Sequence, residues 1–375
     1  MKVGSLCAGI GGLDLALHGV YSKSTVAWQA DLVGEKVRRR HWRRARQMVG
    51  DLWQMPLDSF SRVDAVIMGF PCQDLSCSGS RRGLAGARSG LFYRCAEIIR
   101  YLRPELVIIE NVPALVSKYR DAVEAELDDY GFTWAHVAAA QAGAPDVRWR
   151  VFTIARRGAK STRRILRGPK VPRNGEPGVW PIPVRGRRLL GAWEPTADPS
   201  CSRGSRVKTH GYRHPRVTGG RVYWWPTPTK GDRKASGSRS LTGSKAHSGT
   251  SLTDAVRADR TKAGRQFGLT DKTAGGLLSP AWVECLQGFP VCWTESSGRS
   301  QYAQALRLVK NPQWPAPRVI GLDGLSPQYA YEPPRLLPKG SRNPGRPARL
   351  EYLGNAVVPQ QGYLGLQMIA DSIVI

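Results

Sequence analysis

Two short runs, Asp64-Ala65-Val66-Ile67-Met68 and Leu106-Val107-Ile108-Ile109-Glu110, are apolar at nearly every position. A segment without a polar stripe has no face to offer water, and one this short is too brief for a stable buried helix. Such runs predict strands covered on both sides, the signature of a parallel sheet. Around them the pattern alternates. Strands are predicted over 3–7, 25–28, 133–138 and 151–155, with a helix from 13 and further helices over 34–42, 91–102 and 113–129. Strands interleaved with helices give an α/β class, a Rossmann-like domain with a mostly parallel sheet. In such sheets ligands collect at the carboxyl ends of the strands, so the residues just after each strand are the ones to examine.

The charge is unevenly placed. The 375 residues carry 56 Lys+Arg and 29 Asp+Glu, a net of +27. Between 156 and 272 there are 27 basic and 7 acidic residues, a net of +20 in 117 positions, which leaves +7 for the other 258. That concentration predicts a polyanionic partner, most simply nucleic acid. The section is rich in Pro, Gly and Ser, and Trp180-Pro181 and Trp225-Pro226 read as extended segments. A disordered linker is the plainer reading. Trp180, Trp193, Trp224 and Trp225 favour a folded module with Lys and Arg on phosphates. Charge alone does not separate DNA from RNA.

No apolar run approaches the roughly 18 residues of a membrane span. Seven cysteines without a repeated CxxC pair argue against a disulfide framework or a zinc module, so no metal is expected and a reducing, cytosolic compartment fits best.

Four groups carry chemistry. Gly9-Ile10-Gly11-Gly12 follows the first strand, where glycines allow a sharp turn and close ligand approach to a helix start. The spacing is not GxGxxG, and a purely structural turn explains it as well. Asp31 and Asp51 stand where the second and third strands end. One can accept from a ribose and the other from an adenine amino group; singly, each also reads as a loop or cap residue. Together they suggest an adenosine-containing cofactor. Cys72, in Gly69-Phe70-Pro71-Cys72-Gln73, sits at a strand's carboxyl end before a Gly- and Arg-rich stretch, 76–90. That context favours an exposed nucleophile over a core thiol, and the stretch reads as a mobile basic loop. Glu110, in Glu110-Asn111-Val112, ends a buried strand; with a raised pKa it can protonate a ring nitrogen, and a satisfied structural acid is the even alternative. Arg148 and Arg150 alternate on one face of the strand that follows, fit either to orient a substrate or to form a surface ion pair.

These motifs, in this order, with Gly354-Asn355-Ala356-Val357-Val358-Pro359 and Leu286-Gln287-Gly288-Phe289-Pro290, resemble the C5-cytosine-specific DNA methyltransferase family of phage and bacterial type. The resemblance implies S-adenosyl-L-methionine as methyl donor, held by Cys7, Gly9, Gly11, Gly12, Asp31, Asp51 and Asn355. It implies Cys72 as the nucleophile at C6 of a flipped-out cytosine, Glu110 at N3, Arg150 at O2, Arg148 in support and Gln73 assisting. It implies a catalytic domain over 1–157 completed by 340–375, and a smaller DNA-binding target-recognition region over 158–339. Double-stranded DNA is the implied partner and a monomer the implied state. The implied setting is the bacterial or phage-infected host cytoplasm, nucleoid-associated, either within restriction-modification or as a solitary phage enzyme that protects viral DNA. Members commonly carry an aromatic residue where Cys7 stands and Gln where Asp146 stands. The competing readings are an RNA cytosine-5 methyltransferase on the same scaffold, a DNA-binding protein with a decayed site, and a Rossmann oxidoreductase, which the glycine spacing and Pro71-Cys72 disfavour.

Overall fold

The computed structural model describes residues 1–71, 90–162, 164–171, 222–233, 251–257, 276–316, 318–319, 331–337, 341, 343 and 345–373. Among these, one sheet of eight strands organises the first half of the chain. Its members are β1 (Lys2–Leu6), β2 (Thr25–Ala30), β3 (Arg46–Met48), β4 (Ala65–Met68), β5 (Leu106–Asn111), β6 (Tyr130–Ala138), β7 (Trp149–Arg157) and β8 (Ile165–Arg167). They lie in the order β3-β2-β1-β4-β5-β7-β6-β8. The contacts β3–β2–β1–β4–β5 are parallel, whereas β7 runs antiparallel between β5 and β6. The mixed α/β, mostly parallel sheet expected from the hydrophobic runs is the one observed.

Both faces are covered, which is why β4 and β5 are apolar throughout. One face takes α3 (Leu91–Leu102) and α4 (Ala114–Glu126), with Phe92, Ile98, Ile99, Leu115 and Val123 packed on Val66, Met68, Val107, Ile109 and Trp134. The other takes α1 (Gly12–Val20) and the C-terminal helix Pro359–Ile373, whose Leu366 and Ile369 pack with Leu13, Ala16 and Leu17 on Ile67, Ile108 and Phe152. At roughly 1.5–3 kcal/mol per buried large apolar side chain, this double cover dominates the domain's stability.

A third cluster ties later segments to the first helices. Trp225, Trp282, Phe289 and Trp293 pack with Ile10, Leu15 and Trp42, as does Val37 of α2 (Glu35–His41). Trp293 Nε1 donates to the Ile10 carbonyl at 3.1 Å, and its ring stacks on His41 with centroids 3.6 Å apart. Glu284, wholly buried, accepts from the backbone N–H groups of Cys292 and Thr294 and pairs with Arg349 at 2.9 Å. Within the 158–339 stretch, β8 therefore extends the main sheet and the residues around Trp293 rest on the glycine turn. No described helix is long and apolar enough to cross a membrane.

Sequence and structure differ at β6. It begins at Tyr130 rather than 133, because Tyr130, Gly131 and Phe132 already pair with Arg157, Arg156 and Ala155 of β7.

Candidate active site

The site follows from strand register. Leu6 pairs with Met68, and Met68 with Ile109, so these three residues stand level where β1 and β4 end, while β5 continues beside β7 to Asn111. The next residue of each, Cys7, Gly69 and Glu110, opens onto one cleft, completed by Gly9, Gly12 and the return segment Asn355–Val357. Of the residues predicted from sequence, Cys7, Gly9, Gly12, Glu110 and Asn355 line it together. Gly11, Asp31, Asp51, Arg148 and Arg150 stand outside its wall. Cys72 and Gln73, with the basic stretch that follows them, lie outside the described residues.

Glu110 is buried, and Arg150 Nε stands 3.0 Å from its Oε1. Burial pushes the carboxyl up; Arg150 and then Arg148 pull it down, and the net shift is upward. A surface ion pair does not describe this contact, since the two side chains are only 17% and 10% exposed. Arg148, also buried, donates through Nη2 to the Ala356 carbonyl at 2.6 Å. One arginine thus holds the acid and the other holds the wall opposite it. A methyl group at Gly69 would stand 3.3 Å from Glu110 Oε2, so the acid sits closely over the start of the Gly69-Phe70-Pro71 turn.

The glycine turn is held from behind. Gly11 adopts a left-handed conformation (φ 81°) and α1 starts at Gly12. Asp31 Oδ2 accepts from Gly9 N at 2.7 Å, and its Oδ1 from Val33 N at 3.1 Å. Asp51 caps the short turn after it, accepting from Trp53 N at 3.1 Å. Both acids stand at the ends of β2 and β3, as expected, and both here bond to backbone. Cys7 has φ 51°, unusual for a residue with a side chain. Its thiol is pushed well above the ordinary value, first by its contact with Cys95 and then by burial. Cys7 is therefore a neutral wall residue.

Two supports were not legible in the sequence. Arg38 is fully buried beneath the turn. It donates to the carbonyl of Gly9 at 2.8 Å, to that of Val33, and to Gln47 Oε1 at 2.9 Å. Within the run Arg38-Arg39-Arg40 it looks like any solvated cation; only its place beside Val37 and His41 on the inner face of α2 sets it apart. Asn111 is the second. Its Nδ2 donates to the Phe70 carbonyl at 3.0 Å and so fixes the segment leading to Cys72. The motif Glu110-Asn111-Val112 pointed at it without showing its partner.

Residues 1–185 match the C-5 cytosine-specific DNA methylase family. Among curated proteins, the chain is 33% identical over 167 residues to the type II methyltransferase M2.BsuMI of Bacillus subtilis (strain 168), covering 41% of this chain and 42% of that protein. It is 29% identical over 155 residues to the type II methyltransferase M.HhaI of Haemophilus parahaemolyticus, covering 40% and 47%. The chain thus spans less than half the length of these relatives. Among solved structures it is similar to the Dnmt2 methyltransferase of S. pombe, at 15% identity and a TM-score of 0.49 over 100% of both chains. The motifs from Gly9 to Arg150 all fall inside the stretch that matches the C-5 cytosine-specific DNA methylase family.

Proposed function

We propose that the chain is a DNA (cytosine-5-)-methyltransferase acting on a cytosine flipped out of duplex DNA within a specific sequence. The observation that carries this is Glu110: a buried acid with a raised pKa, paired with Arg150, in one cleft with the glycine turn after β1. Inside a duplex C5 is out of reach, so the base must leave the stack. Cys72, as the thiolate, would add to C6. Glu110 would donate to N3 and absorb the charge that develops there, which makes C5 an enamine carbon and a nucleophile. Once C5 has taken the methyl group from the sulfonium donor, loss of the C5 proton would restore the C5–C6 double bond and release Cys72. Arg150, which pairs with Glu110, would also hold O2 of the base, and Arg148 would hold the opposite wall.

S-adenosyl-L-methionine fits the residues present. Among the described residues, nothing stands within 4 Å of the position a side chain would take at Gly9, so the turn leaves space in front of the backbone. Gly9, Gly12, Cys7 and Asn355 would line its site, with Asp31 and Asp51 at the neighbouring strand ends and Gly11 shaping the turn. When bound, it supplies an electrophilic methyl group on a sulfonium sulfur.

The basic stretch 156–272 is proposed as the duplex contact, within a target-recognition region over 158–339, with 1–157 and 340–375 as the catalytic part acting as a monomer in the cytoplasm. Bisulfite sequencing of plasmid DNA from cells expressing the wild type or Cys72→Ala tests the proposal. Protected cytosines in one short context, with the wild type only, are expected. Protection with both proteins would remove Cys72 as nucleophile, and protection with neither would turn the reading toward RNA or a decayed enzyme.

A further inference from the structure

Asp146 lies two residues ahead of Arg148 and is wholly buried, as is Gln287. Neither Asp146 carboxyl oxygen makes a hydrogen bond of good geometry among the described residues. The Thr227 and Gln287 side chains nevertheless approach the carboxyl closely enough to draw its pKa down as hydrogen-bond donors, and Arg148 and Arg150 are the neighbouring charges. Backbone contacts fix this meeting of three segments. Trp225 N donates to the Pro145 carbonyl at 2.8 Å. Gln361 Nε2 donates to the Arg148 carbonyl at 2.6 Å, and Gln360 Nε2 to that of Gly288 at 2.8 Å. Burial also pushes Asp146 up to about 6 against the pull of both arginines.

We propose that Asp146 is a positioning residue, whose carboxylate, held by the side chains of Gln287 and Thr227, fixes the Arg148–Arg150 segment and so sets where Arg150 meets Glu110. Its catalytic consequence rests on the methyltransferase reading; the positioning itself does not. Severing a charge from a strand this close to the reacting atoms misplaces them, and a shift of about 1 Å costs up to a hundredfold in rate.

The test uses the full chain with Asp146→Asn, and Asp146→Gln as a second neutral variant should Asn fail to fold. The Arg148 and Arg150 Nε–H signals are followed by nitrogen-resolved NMR across pH 5–8, assigned through Arg148→Lys and Arg150→Lys. A Glu110→Gln background keeps the acid paired with Arg150 from titrating. The arginine signals are expected to move with a midpoint near pH 6 and to stand still in either neutral variant. Signals that ignore pH in the Asp146 protein, or that titrate equally in the variants, overturn the proposal. Single-turnover methyl transfer with Glu110 intact is expected to fall about tenfold or more in the Asn or Gln variant at unchanged DNA affinity. An unchanged rate overturns the catalytic consequence. A wild type that methylates no cytosine defeats the methyltransferase reading instead, while the arginine signals still decide the positioning.

Discussion

Replacing Gly12 by Ala should damage the cofactor wall of the cleft by a route that can be worked out in advance. A β-carbon at Gly12 would stand 2.1 Å from the Val357 carbonyl oxygen, 3.1 Å from its carbon and 3.3 Å from the Phe289 ring. Carbon and oxygen do not tolerate less than about 3.0 Å, so one side must yield by about 0.9 Å. The obstacle is backbone and cannot rotate aside. Its neighbours are tied down as well: the Ala356 carbonyl accepts from Arg148 at 2.6 Å, and the Val358 carbonyl from Gly362 N at 3.0 Å. Overpacking of this kind costs about 1–3 kcal/mol, and the better helix propensity of Ala returns at most about 1 kcal/mol. A net loss of about 1–2 kcal/mol falls on the Asn355–Val357 wall. At about 1.4 kcal/mol per factor of ten, S-adenosyl-L-methionine should bind roughly five- to thirtyfold more weakly. Calorimetric titration of the free protein, with urea unfolding of the same samples, reads both terms. Wild-type affinity together with wild-type stability would show that the return segment is not seated over Gly12, and the account of the cleft would fail.

Glu110→Gln should leave DNA affinity intact and lower single-turnover methyl transfer by about 10²–10⁴, the usual worth of a general acid; stopped reactions with radiolabelled donor measure it. Arg150→Ala strips Glu110 of its main counter-charge, so the carboxyl rises further. A raised acid stabilises the fold at low pH and loses that contribution as pH climbs through the folded value, so urea unfolding should show a loss of about 3–5 kcal/mol at pH 8 and a smaller one at pH 5. His41 is pushed down to about 4 by burial, and its Nδ1 already accepts from Gln301 N, so the folded protein refuses the proton. The unfolded chain takes that proton below about 6.5, and stability should therefore fall by about 3 kcal/mol between pH 6.5 and 4. Melting curves for the wild type and His41→Gln should converge with acid if this is right. DNA affinity should drop steeply with salt, because the stretch with +20 would displace many counterions; a flat profile from 50 to 200 mM would refute the duplex-contact proposal.

What the chain declares locally is the order of its elements and the chemistry at their ends. Val66-Ile67-Met68 and Val107-Ile108-Ile109 are apolar because both sheet faces are covered, and that pattern needs no knowledge of what covers them. Gly9, Gly12 and Glu110 could be placed in one site because strand ends of a parallel sheet share an edge, whereas Asn355 was assigned through the family resemblance alone. The rest depended on partners distant in sequence. That Arg150 meets Glu110 requires β7 to enter antiparallel beside β5, a pairing no local pattern encodes. Arg38 is indistinguishable from Arg39 until the helix docks and buries one beneath Gly9. Asp146 reads as an ordinary loop acid until the segments carrying Trp225 and Gln287 pack beside it and bury it. Hydrophobic periodicity is written residue by residue along the chain, whereas the burial and pairing of a charge are properties of surfaces that exist only after folding has brought them together.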